Sequence, residues 1–189
     1  MANVDRPNGF RPVKTLSGRP VNGVIRTVGV TDGADLFVGD VLELTSGLAN
    51  VAATDQTNYL GVAVGFGKVD ADGIPLGPYN PDSLGTTYYD DSASTHTEWV
   101  VYYAPANDCV FEAQFDEAPA QTPAIGQGYD IAPGAGGSTV TGKSSFELDG
   151  TTGGTDCVTV EITKYPDNDP TLIYGRLWVI IPSADQTLA

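Results

Sequence analysis

Residues Gly137-Ser138-Thr139-Val140-Thr141-Gly142-Lys143-Ser144 match the phosphate-loop pattern G-x-x-x-x-G-K-[ST]. In a working loop of this kind, backbone amides and the lysine hold phosphates, and the final hydroxyl holds Mg²⁺. That chemistry needs a buried strand before the loop and a helix after it, with the helix N-terminus facing the phosphate. Here the pattern follows Ala-Pro-Gly-Ala-Gly and precedes Ser145-Phe146-Glu147-Leu148-Asp149-Gly150, a stretch too short for a helix. The expectation is a surface loop that matches by chance. His96 is the only histidine, and no cysteine or carboxylate cluster lies near it in sequence, so neither a metal site nor a catalytic triad is expected there. Carboxylates are abundant, which leaves a glycosidase-type acid pair open but singles out no residue for it. Tyr165-Pro166-Asp167-Asn168-Asp169-Pro170 offers oxygens that suit Ca²⁺, but lacks a spaced ligand loop and reads as a tight turn. The sequence thus predicts no catalytic residue, no metal site and no cofactor: a binding protein rather than an enzyme.

The stronger chemical signal is charge. Arg6, Arg11, Lys14, Arg19 and Arg26 face a single acid, Asp5, within residues 1–30, a net +4; the remaining chain holds four cations against 23 acids, −19. Within Asp5-Arg6-Pro7-Asn8-Gly9-Phe10-Arg11-Pro12-Val13, basic residues alternate with proline around one aromatic ring. Pro7, Pro12 and Pro20 favour extended chain and block helix. This reads as an arm, residues 1–27, that grips an acidic surface. Arg6, Arg11, Lys14 and Arg19 are its charge contacts, and an exposed Phe10 and Val13 are its apolar anchors. Ordering such an arm costs so much backbone entropy that it is either mobile or docked over a large area with many hydrogen bonds. Folding back onto its own body is the alternative.

The elements behind the arm read as strand after strand. Candidates are 21–30, 36–44, 48–53, 60–66, 98–103, 109–115, 128–132, 157–165 and 175–182, rich in Val, Ile, Thr and aromatics and bounded by Gly, Pro, Asn and Asp. In 157–163 the alternation assigns Val158, Val160 and Ile162 to the core. No segment carries a sustained helical stripe; short helical turns are expected near 55–58 or 32–37. The fold class is therefore all-β: a small barrel or sandwich body with an extended N-terminal arm, long loops and little helix. The organisation reads as the arm (1–27), a first β module (28–67), a linker (68–96) and a second β module (97–189), or one continuous β domain joining the two modules. Cys109 and Cys157 open similar strands and can pair only if those strands are neighbours; in a reducing compartment, two buried thiols are expected.

The net charge of −15 argues against nucleic acid as partner of the body, since phosphate contacts need clustered Lys and Arg. The polar start, with no following apolar run, carries no secretory signal, and no run approaches the ~18 apolar residues of a membrane helix. The expectation is a protein made in the cytosol that leaves it, if at all, by lysis or inside an assembly.

The opening Asn3-Val4-Asp5-Arg6-Pro7-Asn8-Gly9-Phe10-Arg11-Pro12-Val13-Lys14-Thr15-Leu16-Ser17-Gly18 resembles the start of small structural proteins of tailed bacteriophages. So do Leu36-Phe37-Val38-Gly39-Asp40, the stretch 59–66, Cys109–Gln114, 142–149 and the closing Arg176-Leu177-Trp178-Val179-Ile180-Ile181. Their order across most of the chain is similar to that of capsid cement, or decoration, proteins. The ending 181–186 departs from the more Asn/His-like ending of that group. The resemblance implies β-rich modules, often homotrimers, bound outside an icosahedral shell near its three-fold positions, with the major capsid protein as partner and no catalytic residues. On this reading Arg6, Phe10, Arg11, Val13, Lys14 and Arg19 contact the capsid, and the protein sits on the outer surface of the virion after synthesis in the host cytoplasm. The rival reading is a host-attachment or carbohydrate-binding module, with Tyr88, Tyr89, Trp99, Tyr102 and Tyr103 as a sugar platform if those rings are exposed together.

Overall fold

A computed structural model describes residues 3–76, 88–92, 95–134, 136–151 and 153–182. Two five-stranded antiparallel sheets form the body. The first has the order β1-β9-β14-β13-β10, built from Arg11–Thr15 (β1), Cys109–Gln114 (β9), Arg176–Ile180 (β14), Cys157–Ile162 (β13) and Gly128–Tyr129 (β10). The second has the order β2-β8-β6-β4-β5, from Arg26–Gly29 (β2), Trp99–Pro105 (β8), Tyr59–Lys68 (β6), Val41–Thr45 (β4) and Leu48–Val51 (β5). Two short ribbons complete it: Leu36–Phe37 (β3) with Tyr88–Tyr89 (β7), and Ile131–Ala132 (β11) with Glu147–Leu148 (β12). The all-β expectation holds, and the form is a sandwich; among the described residues no sheet closes into a barrel. The helical turns fall at Val21–Gly23 and His96–Glu98 rather than near 55–58 or 32–37.

The core explains the layering. Phe111, Ala113, Leu177 and Val179 of the first sheet pack with Val41, Val62 and Ala104 of the second in one buried cluster. Alternate residues of the same second-sheet strands, Leu42, Leu60, Val101 and Tyr103, form another cluster on its outer face. Leu36 and Tyr89 from the β3–β7 ribbon join that outer cluster. The second sheet is thus buried on both faces, which is why 59–63 and 100–104 read as continuous rather than alternating apolar runs.

Of the two organisations the sequence allows, the strand pairing is that of one continuous β domain, because β8 lies between β2 and β6 in one sheet. The arm is folded back onto that body, because β1 pairs with β9. One expectation is corrected. In β13 the alternation is interrupted: Cys157 and Thr159 are buried while Val158 and Val160 are half-buried. The register with β14 shifts between Thr159 and Glu161, and one extra residue reverses the inward parity, so Ile162 packs toward the core. Residues 77–87 and 93–94 of the proposed linker, and the departing ending at 183–186, lie outside the described residues.

Candidate functional site

The basic segment is bound along its length to the sandwich. The Asn3 side chain donates to the carbonyls of Asp169 (2.7 Å) and Ile173 (2.9 Å) and accepts from the Asp169 amide (2.7 Å). The Arg6 amide donates to Gln114 Oε1 (3.2 Å), and Gln114 Nε2 donates to Asp5 (3.1 Å) and Glu147 (2.5 Å). Gly9 turns at φ +66°, facing Gly39 at φ +101°; a Cβ on either residue would collide with the backbone of the other segment. That close approach lets the Phe10 amide donate to the Gly39 carbonyl at 2.9 Å and drives the ring into the core. Beyond it, β1 runs along β9, and Leu16 N donates to Asp108 O at 2.8 Å. The structure has the alternative outcome: the arm is folded back onto its own body, over a broad area and with many hydrogen bonds.

Phe10 is therefore not an exposed anchor. It is 1% exposed and belongs to the central cluster. Val13 is half-buried at the irregularity between Pro12 and Lys14 in the β1–β9 register. Arg6, Arg11, Lys14 and Arg19 all stay on the surface. Arg11 Nη2 pairs with Glu112 Oε1 at 2.7 Å. Lys14 Nζ pairs with Glu161 Oε2 at 3.0 Å and lies 4.5 Å from the Trp178 ring centre. Both cations keep about half or more of their side chains in solvent, so these pairs contribute at most about 1 kcal/mol each. Arg6 and Arg19 side chains have no hydrogen-bond or ion-pair partner among the described residues.

The sequence reading missed the row that receives the arm. Arg11, Glu112, Trp178 and Glu161 stand in register across β1, β9, β14 and β13. The nearly buried Glu112 accepts from Arg11 and from Trp178 Nε1 (3.1 Å), with Arg176 at 3.9 Å. Alternation within Cys109–Gln114 carried the signal: Cys109, Phe111 and Ala113 enter the core, so Glu112 and Gln114 share the opposite face.

Beside the arm lies a groove of about 580 Å³. Arg6, Arg11, Lys143 and Arg176 border it together with Glu112 and Asp167, and Ile25, Val38 and Val64 supply apolar wall. Lys143 reaches it because the phosphate-loop look-alike folds as a tight reverse turn: Ser138 N donates to Lys143 O (2.8 Å) and Gly142 N to Ser138 O (2.7 Å). Val38 N donates to Gly142 O and Ser144 N to Val38 O, which fixes the turn against the residue preceding Gly39. No helix follows it, so the architecture that cradles nucleotide phosphates is not built.

Under the arm joint sits Asp40, 3% exposed, accepting from the Phe37 amide at 2.7 Å and from the Ser144 hydroxyl. Burial, only partly offset by those two donors, raises its carboxyl from 3.8 to about 6. Burial also raises Glu147 and Asp156.

The remaining sequence candidates are accounted for locally. His96 Nδ1 lies 3.8 Å from the exposed Asp32 carboxylate. Asn168 N donates to Tyr165 O at 3.1 Å, the tight turn expected there, while Asp167 pairs with Arg176 at 3.0 Å and Asp169 accepts from the Thr171 amide and hydroxyl. Two carboxylate groupings, Asp55–Asp130–Asp156 and Asp116–Glu117–Asp149, had no motif. Asp156 Oδ2 accepts from the Ile131 and Asp55 amides, and Asp116 Oδ1 from Gly150 N, which makes them turn-holding groups. Cys109 and Cys157 are buried and form no disulfide, with β14 between their strands, and burial pushes the Cys109 thiol up to about 12. The rings of the sugar platform do not gather on the surface: Tyr89, Tyr102 and Tyr103 are buried, Tyr88 stacks on Phe37 at 5.1 Å, and Trp99 packs edge-on to Tyr89. No helix among the described residues is long and apolar enough to cross a membrane.

No protein-family model matches the chain, and neither a curated protein nor a solved structure matches it.

Proposed function

We propose that this chain is a capsid cement protein: a binding module that sits on the outside of a phage shell and joins adjacent copies of the major capsid protein. The observation that carries this reading is the surface left by the docked arm. Arg6, Arg11, Lys14 and Arg19 point outward from a body that is otherwise strongly acidic. Val4 and Leu16, 60% and 57% exposed, lie in the same segment. A cationic surface with exposed apolar residues suits a partner that presents acids around apolar contacts. The acidic remainder is repelled by packaged DNA, which favours the outer face of the shell. A homotrimer would present three such surfaces, and multivalency would convert modest single contacts into firm attachment. The protein would be made in the host cytoplasm and carried on the virion. No catalytic step and no cofactor are part of this proposal.

Strand addition by the arm to a capsid sheet is a poor mechanism for this chain. Its strand is already paired with β9, and Pro12 and the irregularity at Val13 interrupt the edge that remains. Side-chain contacts from the docked arm replace it. For the same reason, deleting the arm would remove the edge strand β1 and the core residue Phe10 along with the contact surface, so charge reversal is the cleaner test. The Arg6→Glu/Arg19→Glu variant keeps Phe10 and β1 and should fold normally. Co-sedimentation with expanded capsids stripped of the protein should be saturable for the parent. For the variant it should be at least about tenfold weaker, with a shallower salt dependence. Absence of saturable parent binding would refute the cement reading. Equal binding by both would move the contact away from the arm.

A further inference from the structure

We infer that the groove beside the arm is a binding site for an extended acidic peptide segment with an apolar side chain, supplied on the cement reading by the capsid protein. Four cations and two acids border the groove, on a chain whose total charge is −15. Both acids are already paired, Glu112 with Arg11 and Asp167 with Arg176. Arg6 and Lys143 are different: neither side chain has a hydrogen-bond or ion-pair partner among the described residues, and both are exposed. Two unengaged cations therefore face one cavity from two segments distant in sequence, the docked arm and the 138–143 turn. Each segment is held there by its own backbone bonds, to Gly39 and to Val38. The volume lies within the roughly 300–1,000 Å³ of ligand pockets. The half-buried Ile25, Val38 and Val64 give it an apolar side that a single ion would not use.

Charge decides the occupant. An acid approaching most of this surface meets repulsion, whereas at the groove it meets an arginine fork and a lysine, the two bordering carboxylates being engaged by Arg11 and Arg176. The apolar wall adds a requirement for a hydrophobic side chain between acids, the pattern of an extended acidic peptide. Lys143 thereby acquires a role that the phosphate-loop pattern did not identify: it contributes charge to the groove.

The test uses the full chain and a fluorescein-labelled peptide, Asp-Leu-Glu-Val-Asp, read by fluorescence anisotropy. The parent should bind it in a salt-sensitive manner, and Arg6→Ala/Lys143→Ala should weaken binding by at least about tenfold. Lys68→Ala is the control: that cation lies 5.2 Å from the Trp99 ring centre and does not border the groove, so binding should be unchanged. A basic peptide of the same pattern, Lys-Leu-Arg-Val-Lys, should not bind. Equal affinity of parent and double variant, equal binding of the two peptides, or no binding of the acidic peptide at millimolar concentration would each overturn the assignment. Capsid binding without peptide binding would reject the groove and leave the cement reading standing. Peptide binding lost in the double variant, without capsid binding, would keep the groove and reject the capsid as its partner.

Discussion

Phe10→Ala is expected to destabilise the protein by about 3–5 kcal/mol and to release the arm. The ring is 1% exposed in the cluster that unites both sheets, so truncation opens a cavity at their junction. The loss is a large share of the 5–15 kcal/mol that typically separates folded from unfolded chains. It is also directional: the Phe10 amide bond to Gly39 and the start of β1 are adjacent, so local opening should begin there. Urea unfolding gives the magnitude, and limited trypsin digestion after Lys14, the arm cation in β1 that no proline follows, reports the release. An exposed anchor of the kind the sequence suggested would lose less than about 0.5 kcal/mol on the same change. The two accounts of Phe10 therefore differ by several kcal/mol in one experiment.

The second large effect concerns pH. Asp40 has its carboxyl raised by burial from 3.8 to about 6. Between those values the native state holds the proton and the unfolded chain has lost it, so stability falls as pH rises through that window. Below it both states are protonated and no penalty exists. Above it both are ionised, and the buried charge costs about 3 kcal/mol. Glu147 and Asp156, raised in the same direction, add to the trend. The parent should therefore be more stable near pH 4 than near pH 7 in its Asp40 contribution. Asp40→Asn, which keeps an acceptor for the Phe37 amide, should flatten the profile and be the more stable form at neutral pH. Denaturation midpoints across that range decide it; identical slopes for parent and variant would refute the assignment. Because Asp40 lies beside Gly39, where the arm docks, trypsin release of the arm should follow the same profile.

The fold class was legible because β-branched and aromatic runs punctuated by Gly and Pro leave little room for helix. Strands such as β5, β9 and β14 fell close to their expected places. What local pattern could not supply was partnership. β1 carries Pro12 and three basic or polar neighbours, so it reads as an arm; only pairing with β9 makes it a strand. β7 and β12 are two-residue ribbons whose identity comes entirely from their partners. The choice between two modules and one continuous domain stayed open in the sequence for a related reason: β8 inserts between strands from much earlier in the chain, a non-local pairing without a local signature. At the site, the charge asymmetry identified Arg6 and Arg19 as exposed cations. The same reasoning placed Phe10 outside, because a lone aromatic among prolines and arginines gives no alternation to reveal its direction. Lys143 was visible only inside a motif for different chemistry, and the tertiary position of its turn beside Val38 brings it to the groove.

The most direct test of cementing is retention of DNA by full capsids heated with and without the bound protein. Particles carrying it should hold their DNA to a higher temperature, and adding the purified protein back to stripped particles should restore that resistance. Unchanged DNA release from particles to which the protein is demonstrably bound would contradict the account.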